Sequence, residues 1–364
     1  MSQEVSAELP NPFVFEDGSP VRKADWARRR QELHDLAVGI EYGGMPPIPE
    51  KTGAELLHPT TVARWDKAGY NAYRVLTGPE PGFSFIMNLT IPPGEGAPFP
   101  VVINGDGCWK YVTDQIVEEV VVRRRMILAQ FNRVEIAPDA YHSERDTGIY
   151  LAYPQGRYSA LAAWAWGYHR CVDALLGLEM VDGERIGITG HSRGGKTTLL
   201  AGATDERITV TGVNNSGSGG AGCFRWQGPE SEVLKDGIDA VPYWYGPEMP
   251  GYVGREAELP FDQHYLKALV APRALLSCEA FGDPWANGEG TWQTFDAARE
   301  VYRWLGAEER IGIWYREGEH KHGWEDWVKF LDFMDWQTGR GPKPEGLNEN
   351  PYPEMPRAFS WAAP

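Results

Sequence analysis

Between residue 99 and residue 318 six apolar runs alternate with segments of helical period, and this alternation restricts the chain more than any other feature of its sequence. The runs are PFPVVING (99–105), RVEIAP (133–138), RIGITG (185–190), ITVTGVNN (208–215), RALLSCEA (273–280) and RIGIWYREG (310–318). Apolar on both faces, they read as buried parallel strands, and such strands need crossover helices to join them. Segments 159–180, 193–204, 292–305 and 324–337 supply the helical spacing. The expected fold class is therefore α/β, a three-layer αβα sandwich around a mainly parallel sheet. Ahead of it, AYRVLTG and FSFIMNLTIP alternate as antiparallel edge strands. Residues 1–60 or so read as an arm and a helix, ADWARRRQELHDLAVGIEYG, attached to one domain spanning 1–364. The longest interruption, about 216–262, is rich in Gly, Trp, Tyr and acidic residues and reads as a cap or binding insertion.

Charge narrows the function. With 35 Lys and Arg against 51 Asp and Glu, the net charge of −16 repels phosphate backbones and anionic lipid, so neither nucleic acid nor a membrane is expected as partner. No window reaches the roughly 20 apolar residues of a membrane span. The start MSQEVSAELPNPFVFEDGSP lacks the basic and apolar regions of a leader, which reads as a cytoplasmic protein, or as a secreted one whose leader has been removed. Cys108, Cys171, Cys223 and Cys278 are scattered without metal-ligand or disulfide spacing, and no metal or cofactor is expected.

The octapeptide GHSRGGKT (190–197) satisfies two motifs. Gly190-His191-Ser192-Arg193-Gly194 is the GxSxG elbow that lifts a serine hydroxyl clear of a sheet, whereas Gly190 to Thr197 is also a GxxxxGK[ST] phosphate loop. A phosphate loop needs a strand ending in a magnesium-binding Asp, and the one candidate, Asp139, follows Pro138. An elbow needs an acid and then a histidine after later strands. Asp283 and then His320 and His322 stand at those strand ends, with Glu279 as an alternative acid. The reading is a serine hydrolase: Ser192 as nucleophile, His320 or His322 as base, Asp283 as acid. The amide of Arg193, with a second donor from loop 104–109, would hold the oxyanion. His191 is read as structural, because a neighbour of the nucleophile points away from it, and Asp262 as the cap of the following helix. A nucleotide-binding ATPase or kinase, and a catalytically decayed carbohydrate-binding protein, are the competing classes.

The segments GITGHSRGGKTTLLAGATDERI (187–208), NNSGSGGAG (214–222), ELPFDQHYLKALVAPRALL (258–276), DPWANGEG (283–290) and GEHKHGWEDWVKFLDF (318–333) resemble the glucuronoyl esterases, carbohydrate esterase family fifteen, in their bacterial branch. The resemblance implies a single-domain α/β-hydrolase that cleaves uronic acid esters, with a general carboxyl or acetyl esterase as the alternative on the same fold. It implies that Arg193 also serves the oxyanion through its side chain and that Lys196 holds the uronate's hydroxyls. It selects His320, six residues before Asp326-Trp327, over His322. Where many members carry a glutamate as acid this chain has Asn215, which leaves Asp283 for that role. The expected substrate is a small-molecule or oligosaccharide uronate ester. Trp285 is expected to stack on sugar, and Gln227 and Glu230, with Arg225 and Glu232 as further candidates, to contact it. Of 15 tryptophans, Trp109, Trp226, Trp244, Trp285 and Trp324 lie on or beside these loops and are expected to form a stacking rim.

Overall fold

The computed structural model describes residues 8–79, 82–140 and 145–364; residues 1–7 of the expected arm lie outside them. Nine strands form one sheet: β1 Gly53–Val62, β2 Ala68–Thr77, β3 Phe83–Ile91, β4 Phe99–Asn104, β5 Ile127–Phe131, β6 Val181–His191, β7 Val210–Asn214, β8 Ala274–Ala280 and β9 Ile311–Arg316. Their spatial order is β1-β2-β3-β5-β4-β6-β7-β8-β9. From β5 through β9 every pairing is parallel, while β1, β2 and β3 add antiparallel at one edge. The central strands β4, β7 and β8 are buried at every position, as their unbroken apolar runs require, whereas edge strand β1 is largely exposed.

Helices α1 Trp26–Tyr42, α2 Ala160–Leu176, α3 Arg193–Thr204, α4 Gln263–Val270 and α5 Gly288–Leu305 cover one face. Helix α6 Trp324–Gln337 and the helical turns of 114–123 cover the other, where Trp327, Phe330 and Met334 meet Val117, Val120 and Leu128. This is the αβα sandwich of the α/β-hydrolase fold. No helix among the described residues is long and apolar enough to cross a membrane.

Two expectations need correction. The run RVEIAP is no strand: Asn132 accepts from the Val134 amide and opens a 3-10 turn over Arg133–Glu135, and the strand lies one step earlier at Ile127–Phe131. Arg133 explains the shift, because its guanidinium is buried in an ion pair with Asp106 at the end of β4. Strand β1 falls inside the segment read as arm and helix; its exposed HPTT stretch hides the alternation that marks a half-buried strand.

Close approach of α3 to the sheet generates a stability prediction. A Cβ at Gly202 would stand 2.1 Å from Thr211 Oγ1 and 2.9 Å from its methyl carbon. Helix propensity alone would favour Gly202→Ala by about 1 kcal/mol, but overpacking a fixed strand costs about 1–3 kcal/mol. Gly202→Ala is expected to lower the urea midpoint; a raised midpoint would show that α3 can move off β7.

Candidate active site

Ser192 ends β6 and caps α3 with φ 56° and ψ −123°, a strained conformation for a residue with a Cβ. Three backbone contacts hold it. Its amide donates to the Asn214 carbonyl at 2.9 Å, the Lys196 amide returns to its carbonyl at 3.0 Å, and the neighbouring His191 amide donates to Asp106 Oδ2 at 3.0 Å. Asp106 also explains one glycine of the motif, since a Cβ on Gly194 would lie 2.2 Å from its carboxylate. The hydroxyl of Ser192 forms no hydrogen bond among the described residues.

Asp283 and His320 meet as expected. Nδ1 of His320 lies 2.6 Å from Asp283 Oδ2, with the carboxylate buried and the imidazole 41% exposed. Asn215 donates from Nδ2 to that same carboxylate oxygen at 2.9 Å. The Asn215 amide, just past the end of β7, therefore supports a carboxylate one strand further along. Burial pushes the Asp283 carboxyl up, yet the hydrogen bond from His320, the charge of its ring and the amide of Asn215 together hold it below the usual aspartate value. Glu279 does not meet His320: it is fully buried within β8, where burial first and the charge of Asp283 second push it up to about 8.

The other two histidines are structural neighbours. His191 Nδ1 lies 2.6 Å from Asn214 Oδ1, and burial, with the charges of His322 and His320, pushes this ring down to about 2. His322 is stacked on Trp327 with centroids 5.1 Å apart, and burial lowers it to about 3. The His191 ring lies 4.4 Å from that of His320, which places the elbow and the base loop side by side.

What seats the base loop is a residue that the sequence reading did not single out. Arg316, the last residue of β9, donates from Nε to Asp326 Oδ1 at 2.6 Å and from its two terminal nitrogens to the carbonyls of Glu317, Glu319 and Lys321. Asp326 also accepts from Asn214 Nδ2 at 2.9 Å and from the Gly323 amide at 2.7 Å. One buried ion pair thus joins the His320 loop, helix α6 and, through Asn214 and His191, the elbow. A lone arginine closing an otherwise apolar strand, four residues before the histidine, was its sequence signal.

The expected oxyanion and sugar residues are only partly where the sequence put them. Arg193 begins α3, and its guanidinium is clamped by Asp139 Oδ2 at 2.9 Å over the face of Trp244 at 4.7 Å. Asp139 in turn accepts from Tyr243 Oη at 2.7 Å and from the Trp244 indole at 3.3 Å. With Asp139 so engaged, and with Lys196 turned inward to Glu232 Oε2 at 2.8 Å and to the Ser218 carbonyl, the phosphate-loop reading of the octapeptide fails. In loop 104–109 the amides of Gly105, Asp106, Gly107 and Trp109 are spent on Tyr168, Asn104, Phe131 and Asp106, which leaves that of Cys108 as the candidate second donor.

Lys196 is 2% exposed, so it stands behind the site wall and supports Glu232. Glu232 is tied to the acid loop, its amide donating to the Trp285 carbonyl at 3.0 Å. Arg225 is buried on Asp262 and on the carbonyls of Phe261 and Leu259, and cannot contact sugar. Asp262 is more than the expected cap of α4, accepting from the amides of Gln263, Phe224 and Arg225. Glu230 lies exposed at φ 66° in a turn, and Gln227 spends its amide on the Phe224 carbonyl. Of the expected tryptophan rim Trp285 is 51% exposed, Trp109 and Trp324 are half-buried, and Trp226 and Trp244 are buried. Among the described residues no group of three His, Cys, Asp or Glu could hold a metal ion.

Known proteins resemble this chain over most of its length. The family described as glucuronyl esterase, fungi, matches residues 77–306. A 4-O-methyl-glucuronoyl methylesterase 1 of Phanerochaete chrysosporium is 33% identical over 338 residues, covering 88% of this chain and 67% of the relative. A 4-O-methyl-glucuronoyl methylesterase of Podospora anserina is 32% identical over 319 residues, covering 85% of this chain and 62% of the relative. The solved structure of a carbohydrate esterase family 15 glucuronoyl esterase from Caldicellulosiruptor kristjansonii superposes with a TM-score of 0.80 at 29% identity, covering 96% of this chain and 97% of that one.

Two outcomes are expected. A depressed Asp283 carboxyl contributes stability that is complete above the usual aspartate value of about 3.9 and is lost as pH falls through the folded value. Asn215→Ala removes one depressing contact, so its urea midpoint should fall below wild type above the usual aspartate value of about 3.9 and converge with it as pH falls through the folded value; a pH-independent gap would contradict the assignment. Arg316→Met strands a buried carboxylate and should cost about 3–5 kcal/mol. Arg316→Met with Asp326→Leu should recover most of that while amides 317–323 still exchange hydrogen faster than in wild type; unchanged exchange would deny the bracing role.

Proposed function

The chain belongs to the glucuronoyl esterase family of carboxylic ester hydrolases, and on that premise we propose that it cleaves the carboxylic ester of a uronic acid through a serine acyl-enzyme. The observation that carries this reading is the 2.6 Å bond between His320 and Asp283 on the loops after β9 and β8, beside a strained serine on the turn after β6. With Nδ1 committed to Asp283, His320 is left with Nε2 to take the Ser192 proton as Oγ attacks the carbonyl at sugar C6. Asp283, largely shielded from water, stabilises the imidazolium that forms. The tetrahedral oxyanion develops at the N-terminus of α3, where the Arg193 amide and the positive end of the helix dipole favour negative charge, and the guanidinium held by Asp139 stands beside it. His320 then protonates the departing alcohol, and water attacks the acyl-enzyme by the same route in reverse.

Substrate recognition in this reading rests on Trp285 and on the Lys196–Glu232 pair. The exposed indole offers a face to the C–H side of the pyranose. The Glu232 carboxylate, oriented by Lys196, accepts from ring hydroxyls, so Lys196 acts through Glu232. The acyl group is a uronate, carried on a small molecule or an oligosaccharide.

Ser192→Ala is expected to abolish hydrolysis of methyl glucuronate, and an unaltered rate would sink the mechanism. Asp283→Asn should lower kcat by about 10³–10⁴, as loss of a triad acid does, while Glu279→Gln stays within a few fold of wild type. Were Asp283→Asn fully active and Glu279→Gln inactive, the acid would be Glu279.

A further inference from the structure

A cavity of about 540 Å³ opens at the end of α3 remote from the ester site, between that end, α2 and the stretch that follows α1. Ser192 caps the start of α3 and Thr204, on the cavity wall, is its last residue, so 12 residues at about 1.5 Å each put the two about 18 Å apart. Met45, Pro46, Ile48 and Trp166 form an apolar side, and Arg170 borders the cavity from α2. We propose that this cavity binds a small uncharged molecule with an apolar body and a carbonyl oxygen, the oxygen accepting from Arg170.

Arg170 is the unsatisfied group. It is 3% exposed, and neither its Nε nor its Nη1, both closed off from water, makes a hydrogen bond. Asp173 Oδ2 stands 2.8 Å from Nε, so the charge is answered; what the guanidinium lacks is an acceptor in line with its N–H groups. A buried donor left in this state has lost its hydration without replacement, and a ligand acceptor would supply what is missing. Other polar groups around the cavity already have partners. Arg207 donates to Asp173 and to Asp205, each at 2.6 Å, and Glu206 pairs with Arg30 at 2.8 Å. The Thr204 hydroxyl donates to the Leu200 carbonyl at 2.7 Å, and His169 Nε2 lies 3.1 Å from that of Ala201.

Charge selects against an ion. Asp173, Asp205 and Glu206 border the cavity at the carbonyl end of α3 and repel an anion, whereas Arg170 and Arg207 repel a cation. An uncharged acceptor meets neither obstacle. The apolar side accounts for the body of the ligand: Ile48 is 87% exposed, so a hydrocarbon laid against it takes apolar surface out of water. This side is also preset. The Trp166 indole donates to the Pro47 carbonyl at 2.8 Å, and the Arg170 guanidinium lies over the Trp166 ring at 5.0 Å, so little ordering is left for binding to cost.

The test is a ligand-observed NMR titration of the full chain with acetophenone, and with ethylbenzene and benzoate as probes that lack the carbonyl or carry a charge. Saturable binding of acetophenone is expected, with ethylbenzene and benzoate each weaker by about tenfold, the scale of one hydrogen bond to a charged donor. Arg170→Met should lower acetophenone affinity by about tenfold and leave that of ethylbenzene within about twofold. Asp173 keeps Arg207 as partner in that variant, so no lone carboxylate is left behind. If Arg170→Met does not fold, Ile48→Asp at the exposed rim should weaken acetophenone by about fivefold through loss of the apolar contact. Absence of saturable binding, ethylbenzene or benzoate binding as tightly as acetophenone, or unchanged acetophenone affinity in Arg170→Met or Ile48→Asp would overturn the proposal. Binding is read in the absence of any ester, so failure of the esterase reading would appear as absent methyl glucuronate hydrolysis and not in this titration.

Discussion

The buried ion pair between Arg316 and Asp326 is the contact on which the candidate active site depends. Neither side chain reaches solvent, so each would be costly to desolvate alone, and the cost is offset because every donor of the guanidinium fork meets an acceptor. Three of those acceptors are carbonyls of the very loop that carries His320. A loop on the end of a strand has few backbone partners of its own, and here one side chain supplies them. Asp326 extends the same network into α6 and, by way of Asn214, to the ring beside Ser192. Base and nucleophile are thus positioned by a shared set of hydrogen bonds, even though Ser192 and His320 are 128 residues apart in the chain.

A second constraint is charge. In a chain of net charge −16, Arg193 and Lys196 are the two cationic residues of the octapeptide that carries Ser192. Both are neutralised by partners, Arg193 by Asp139 and Lys196 by Glu232. The site therefore offers oriented dipoles and paired ions in place of a bare cationic surface. That suits an ester, which is uncharged at the reacting carbonyl and develops its negative charge only in the transition state, where a preset donor gains most.

Five of the six apolar runs, the GxSxG turn and the order Ser192, Asp283, His320 were legible in the sequence because each is a local pattern or a pattern of strand ends, and strand ends in a parallel sheet converge on one edge. The alternation of strand and helix determined the αβα sandwich for the same reason: period and length are properties of short segments. Tertiary structure decided what depends on which side chains face one another. It turned Asn215 from an apparent defect into a donor for Asp283, moved Lys196 behind the wall, buried Arg225, spent four amides of loop 104–109, and made Arg316 the brace of the base loop. None of these could be read from spacing, because a polar residue in a folded protein takes whichever partner satisfies it away from water. In a sheet assembled from strands far apart in sequence, that partner belongs to another segment altogether.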